Sequence, residues 1–263
     1  MERIKNISFI GTGNVATHLS RALVKAGFTI SWIYSKTPEH ASRLASEMGS
    51  VHLEQISAGI PATDLIIISV NDDAVKDVVA QLGNCKMPLI HTSGSLPADI
   101  LKPASVRAGV IYPVQTFSAS YPVDMNEVAL CIEASDNEFA KALEDLAKAI
   151  SAKVYRLDHH ERICLHIAAV FANNFGNYMF TLAKEILGQC NLPPELLHPL
   201  ISETARKAVS GDPAAFQTGP AARGDKEIIK KHLERLSGDE ELKEIYALLS
   251  KYLEKKYKDH GKP

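Results

Sequence analysis

Ile4-Lys5-Asn6-Ile7-Ser8-Phe9-Ile10-Gly11-Thr12-Gly13-Asn14-Val15-Ala16 changes its periodicity within a single turn. Up to Ile10 the run is short and apolar, the chemistry of a strand. From Asn14 the apolar positions are Val15, Leu19, Ala22, Leu23 and Ala26, one face of a helix that Gly27 closes. Between the two, Gly11-Thr12-Gly13-Asn14-Val15-Ala16 fits G-x-G-x-x-G/A in its required strand–turn–helix context. Gly11 permits the tight turn, Gly13 bares the backbone where a pyrophosphate must approach, and Ala16 lets the helix pack on the sheet. Free N–H groups and the helix dipole would then hold the diphosphate. Gly11, Thr12, Gly13, Asn14 and Val15 are therefore candidate dinucleotide contacts. A purely structural glycine turn is the competing reading.

The same alternation continues outward. Further strands are expected at 28–34, 65–70, 88–92, 107–112, 128–133 and 153–157. Thr37-Pro38 starts a helix that runs to Met48-Gly49, and another is expected over 137–150. The 65–70 run is too short for a helix and too apolar for an exposed strand, so it should be central and covered on both faces. After Leu157 the strands stop: helical patterns span 158–189, 193–210 and 239–257, with an irregular Gly-, Pro- and Ala-rich link at 211–225. The class is α/β, a doubly wound, mostly parallel Rossmann sheet followed by an all-α C-terminal domain, with domains at 1–157 and 158–263. The Lys-rich end, 255–262, is expected to fray.

Composition sets outer limits. The 263 residues allow one or two domains at roughly 150 residues each. With 46% hydrophobic and 23% charged residues, the chain is neither disordered nor collagen-like. A formal charge of -2 gives no reason to expect nucleic acid or a membrane surface as partner. Cys85, Cys131, Cys164 and Cys190 are scattered, with no CxxC pair, and fit thiols in a reducing cytosol. Residues 1–10 lack the apolar run of a signal peptide, so a cytoplasmic location is expected. No metal site is expected either: His159-His160-Glu161 lacks HExxH spacing, and Asp72-Asp73 reads as the start of a helix.

Cofactor choice is read after the second strand. An NAD site places an acid there, whereas this chain has Ser35-Lys36-Thr37 and no carboxylate before Glu39. Three donors suit a 2′-phosphate, so NADP is expected, although the same residues could simply cap the next helix. The turn, the Ser-Lys-Thr segment and Ser69-Val70-Asn71-Asp72-Asp73 together resemble the superfamily of pyrroline-5-carboxylate reductase, prephenate dehydrogenase, 6-phosphogluconate dehydrogenase and the deazaflavin-dependent NADP reductases. His91-Thr92-Ser93-Gly94-Ser95, Tyr112-Pro113-Val114-Gln115-Thr116-Phe117 and Gln217-Thr218-Gly219-Pro220-Ala221-Ala222-Arg223-Gly224-Asp225 sharpen this. They are similar to a bacterial branch in which a Rossmann-like half is fused to a helical domain of unknown function. The resemblance implies a homodimer through the helical half. It also implies that Asn71, Thr92, Ser93 and Gly94 lie along the cofactor.

Reaction candidates come from two places. His91 could donate a proton beside the nicotinamide, or cap its strand and order the Ser-Gly turn. On the helix from Asp158, Arg162, His166, Asn173 and Asn177 share one face, and a buried polar stripe must meet a cleft or a polar partner. His166 and Asn173 are accordingly catalytic candidates, with His166 protonating the atom that receives hydride. Asn177, Thr218 and Arg223 are substrate-contact candidates, and Arg223 could equally cap a helix. The expected function is hydride transfer between NADPH and a small C=O or C=N compound. A non-catalytic NADP sensor is the alternative, because the catalytic pairs of the better-known relatives are absent.

Overall fold

The structure is a computed structural model describing residues 4–57, 59–118 and 121–257. Residues 258–262 of the expected frayed tail lie outside the described residues. The strands are β1 (Asn6–Ile10), β2 (Thr29–Tyr34), β3 (Val51–Leu53), β4 (Leu65–Ile68), β5 (Leu89–His91), β6 (Ala108–Val114), β7 (Ala129–Ala134) and β8 (Val154–Arg156). They form one sheet in the order β3-β2-β1-β4-β5-β6-β7-β8, parallel throughout except where β6 meets β7. The chain builds outward from β1 to β3, then returns to place β4 on β1's other side. The switch point between β1 and β4 is where open sheets of this kind leave a crevice.

Both sheet faces are covered. Ile7, Phe9, Leu65 and Ile67 point into a core shared with α1 (Asn14–Lys25), α2 (Pro38–Met48) and α4 (Asn137–Lys148). Ile10, Trp32, Ile66 and Ile68 point into the other, with α3 (Asp72–Leu82). All four β4 residues are buried, as the continuous apolar run requires. Pro38 occupies the first turn of α2, and Gly49 ends it at φ 65°, a left-handed conformation that suits glycine. Asp72 and Asp73 sit in the first turn of α3, where negative charge is favoured.

The chain divides into two compact units, one ending at Asn174 and one beginning at Phe175. The strands do end near residue 157. However, α5 (His159–Ala169) groups with the sheet. The second unit contains α6 (Gly176–Gln189), α7 (His198–Ser210), α8 (Pro220–Arg223), α9 (Lys226–Arg235) and α10 (Glu240–Tyr257).

Three features depart from the sequence expectations. The continuous helix over 158–189 is broken by a π-helical turn, Val170–Phe175, whose wider ring takes up an extra residue and shifts the face that follows. The short strand β3 is unanticipated, having exposed Val51 and His52, with Leu53 alone packing against the core beside its pairing with β2. The strongly polar α9 is likewise unanticipated, with no buried side chain to reveal it.

Candidate active site

A cavity of about 730 Å³ lies at the carboxyl ends of β1 and β4, lined by residues including Gly11–Val15, Ser35, Lys36, Asn71, Thr92 and Ser93. Gly11 sits at φ 110°, and a Cβ there would collide with the main-chain carbonyl of Ser69. Its lack of a side chain is what lets the turn pass over β4. Gly13 differs: it has ordinary extended geometry, and a Cβ would meet nothing within 4 Å. Gly13 is also the N-cap of α1, and no side chain caps that helix. The first N–H groups of α1 are thus left for an anion, in a cradle that a side chain at position 13 would fill.

Ser35 and Lys36 reach the same cavity, and Ser35 Oγ accepts from Thr12 Oγ1 at 3.2 Å and from the Thr37 N–H at 3.3 Å. Thr37 is the N-cap of α2, but its side chain makes no cap bond and does not line the cavity. Asn71 lines the cavity as the N-cap of α3, with no side-chain cap bond. Asn14 Nδ2 donates to the Phe117 carbonyl at 2.9 Å, tying the glycine turn to the segment after β6. These groups fit a dinucleotide phosphate and its ribose.

A second cavity of about 590 Å³ shares Val15, Thr92, Gln115 and Thr116 with the first, so the two are adjoining chambers. Its wall includes Tyr112, His166 and Asn173. The Tyr112 hydroxyl lies 3.1 Å from His166 Nδ1, with the rings edge to face. Burial raises the Tyr112 pKa, reinforced by Cys131 and opposed by Arg162, so the phenol keeps its proton. The hydroxyl donates to Nδ1 or accepts from it according to which ring nitrogen carries the hydrogen. Gly94 does not line the cofactor cavity. It is buried beneath this pair, and a Cβ there would stand 2.5 Å from His166 Nδ1.

His91 is fully buried and lines neither cavity. Its Nδ1 accepts from the Ser93 N–H at 3.1 Å, and Nε2 donates to the Pro97 carbonyl at 3.3 Å. Of the two roles open in the sequence, this geometry performs the second: the ring orders the turn after β5. Burial pushes its pKa down to about 4, against a partial rise from the Pro97 carbonyl. The unfolded chain therefore takes up a proton between about pH 6.5 and 4 that the folded one refuses. Native stability should fall as pH drops through that window, by up to about 3 kcal/mol. The stability advantage of wild type over His91→Asn in urea unfolding should shrink between pH 7.5 and 4.5, whereas a constant gap would disprove the assignment.

Asn177, Thr218 and Arg223 belong to the second unit and are exposed. Arg223 Nε donates to Asp225 Oδ2 at 3.0 Å. Glu161 is occupied in a capping box with Asp158, and among the described residues no group of three or more metal-ligating side chains occurs. Tyr112, Gln115 and Thr116 are wall residues that spacing alone did not single out. They stood in the sequence as part of Tyr112–Phe117, a motif with no chemistry assigned to it.

Residues 6–90 match the family model for coenzyme F420-dependent NADP oxidoreductases, and residues 128–253 match a domain of unknown function, DUF2520. A Bacteroides fragilis protein assigned as an NADP oxidoreductase is 38% identical, with 96% of this chain and 98% of that one covered and a TM-score of 0.90. A Thermotoga maritima protein is 23% identical, covering 97% and 100%, at a TM-score of 0.71. An imine reductase from Myxococcus stipitatus, in complex with NADP+, shares the fold at 13% identity, covering 97% and 93%, at a TM-score of 0.64. No curated protein matches the sequence.

Proposed function

The chain belongs to the NADP oxidoreductase family of its Bacteroides fragilis relative, and from that premise we propose that it passes hydride between NADPH and a small carbonyl or imine compound. The carrying observation is the shared wall of the two chambers, which joins the uncapped start of α1 to the Tyr112–His166 pair. NADPH, when bound, supplies the hydride. The main chain of residues 11–15 would hold the diphosphate, with Ser35 and Lys36 taking the 2′-phosphate. Thr92, Ser93 and Asn71 would line the remainder of the cofactor. His166, as the imidazolium, would give one proton to the oxygen or nitrogen that gains the hydride and be left a neutral ring, with Asn173 orienting that group.

We also propose a homodimer formed through the helical unit, where Leu196, Leu200, Val209 and Leu248 are exposed apolar residues. Among the described residues no helix is long and apolar enough to cross a membrane. The four free cysteines support the cytoplasm as the compartment.

Thermal unfolding with NADPH and with NADH tests the cofactor assignment, because at equal concentration the ligand that binds the native state more tightly raises the transition further. NADPH should give the larger shift, and Lys36→Glu should weaken NADPH about tenfold while sparing NADH. A larger shift with NADH in the wild type would overturn the role of Ser35 and Lys36. A panel of ketones, keto acids and imines, followed by loss of nicotinamide absorbance, then seeks the substrate. Binding without turnover across the panel, unaltered by His166→Ala, would favour a sensor.

A further inference from the structure

Arg162 on α5 is wholly buried, and the hydride-transfer reading gives it no task. Nη1 donates to the Ser93 carbonyl at 2.9 Å. Nη2 donates to the Leu96 carbonyl at 2.6 Å and to Glu133 Oε2 on β7 at 2.8 Å, and it lies 3.1 Å from His159 Nδ1. Its Nε–H has no partner among the described residues. Stability is a poor explanation for such a residue. A buried ion pair gains little over apolar side chains of the same volume, and an unsatisfied N–H adds a cost. An arginine can do what no apolar residue can, fixing two main-chain carbonyls and a carboxylate with one rigid fork.

The segment it fixes is the turn after β5. Between the two anchored carbonyls lies Gly94, where a Cβ would stand 2.5 Å from His166 Nδ1 and 3.0 Å from Tyr112 Cζ. His166 is one helical turn beyond Arg162 on the same α5. That helix therefore grips the turn with one residue and rests the next on its glycine. Ser93 and the preceding Thr92 also form part of the cofactor-cavity wall.

We infer that Arg162 is a positioning residue that holds the cofactor-cavity wall and the seat of the Tyr112–His166 pair at one fixed spacing. The inference rests on the reading of that pair as the proton-donating site. Its test needs no turnover, so failure of either can be told from failure of the other. In the full-length protein, Arg162→Lys keeps the charge but loses the fork. Two measurements apply: NADPH affinity by fluorescence, and the His166 tautomer by long-range ¹H–¹⁵N correlation at pH 8, assigned with His166→Gln.

Wild type should show a single tautomer, and Arg162→Lys a mixture of tautomers with NADPH bound about tenfold more weakly. If Arg162→Lys does not fold, Glu133→Gln, which leaves the apolar packing intact, should give both changes at smaller amplitude. A folded Arg162→Lys, or failing that Glu133→Gln, with wild-type affinity and a single tautomer would overturn the assignment.

Discussion

Gly13→Asp is expected to leave the protein as stable as wild type or slightly more so, while lowering NADPH affinity at least about a hundredfold. The two effects separate because of where Gly13 sits. It is the N-cap of α1 at φ -70°, nothing lies within 4 Å of its would-be Cβ, and no side chain caps the helix. Aspartate is among the best N-caps, and its charge suits the positive end of the dipole, so the helix gains a few tenths to about 1 kcal/mol. The same carboxylate then occupies the seat intended for the diphosphate and repels it. Gly11→Ala is the opposite case. At φ 110°, against the Ser69 carbonyl, even a methyl group forces the backbone to move, at a cost on the order of 3 kcal/mol. Urea unfolding and NADPH fluorescence on both variants give the answer. If Gly13→Asp binds NADPH like wild type, α1 does not hold the cofactor.

Those two glycines also illustrate what the sequence could convey. The G-x-G-x-x-A run was legible because its chemistry is local: strand, turn and helix follow one another within a dozen residues. The motif gave Gly11 the turn and Gly13 the pyrophosphate, but not Gly11's obstacle, the Ser69 carbonyl just after β4, which comes from a distant part of the chain. The four-residue β4 was legible because burial on both faces leaves no polar position. By contrast, β3 and α9 bury too little to leave an apolar pattern. The π turn at Val170–Phe175 was invisible because hydrophobic spacing assumes a constant period. His166 stood out on its helix, but its partner Tyr112 lies 54 residues earlier, and Gly94 touches the pair from a third segment. A site assembled from three separate segments has no spacing to read.

That assembly sets the largest effect on turnover. His166→Gln should lower kcat by about 10²- to 10⁴-fold on whichever carbonyl or imine compound is reduced, the range for losing a general acid, with NADPH affinity unchanged. His166 belongs to the chamber beside the cofactor cavity and is absent from the cofactor cavity's own wall. Tyr112→Phe should cost less, about tenfold, because it removes only the hydroxyl that orients the ring. The order of the two effects identifies the acid. Burial holds the Tyr112 phenol above its ordinary pKa of 10.0, which makes it a reluctant donor at neutral pH. If Tyr112→Phe proves the more damaging and His166→Gln retains most of kcat, the roles are reversed: the phenol is the donor and the imidazole its support. If neither substitution slows turnover, the proton comes from elsewhere, and the adjoining chamber is not where reduction occurs.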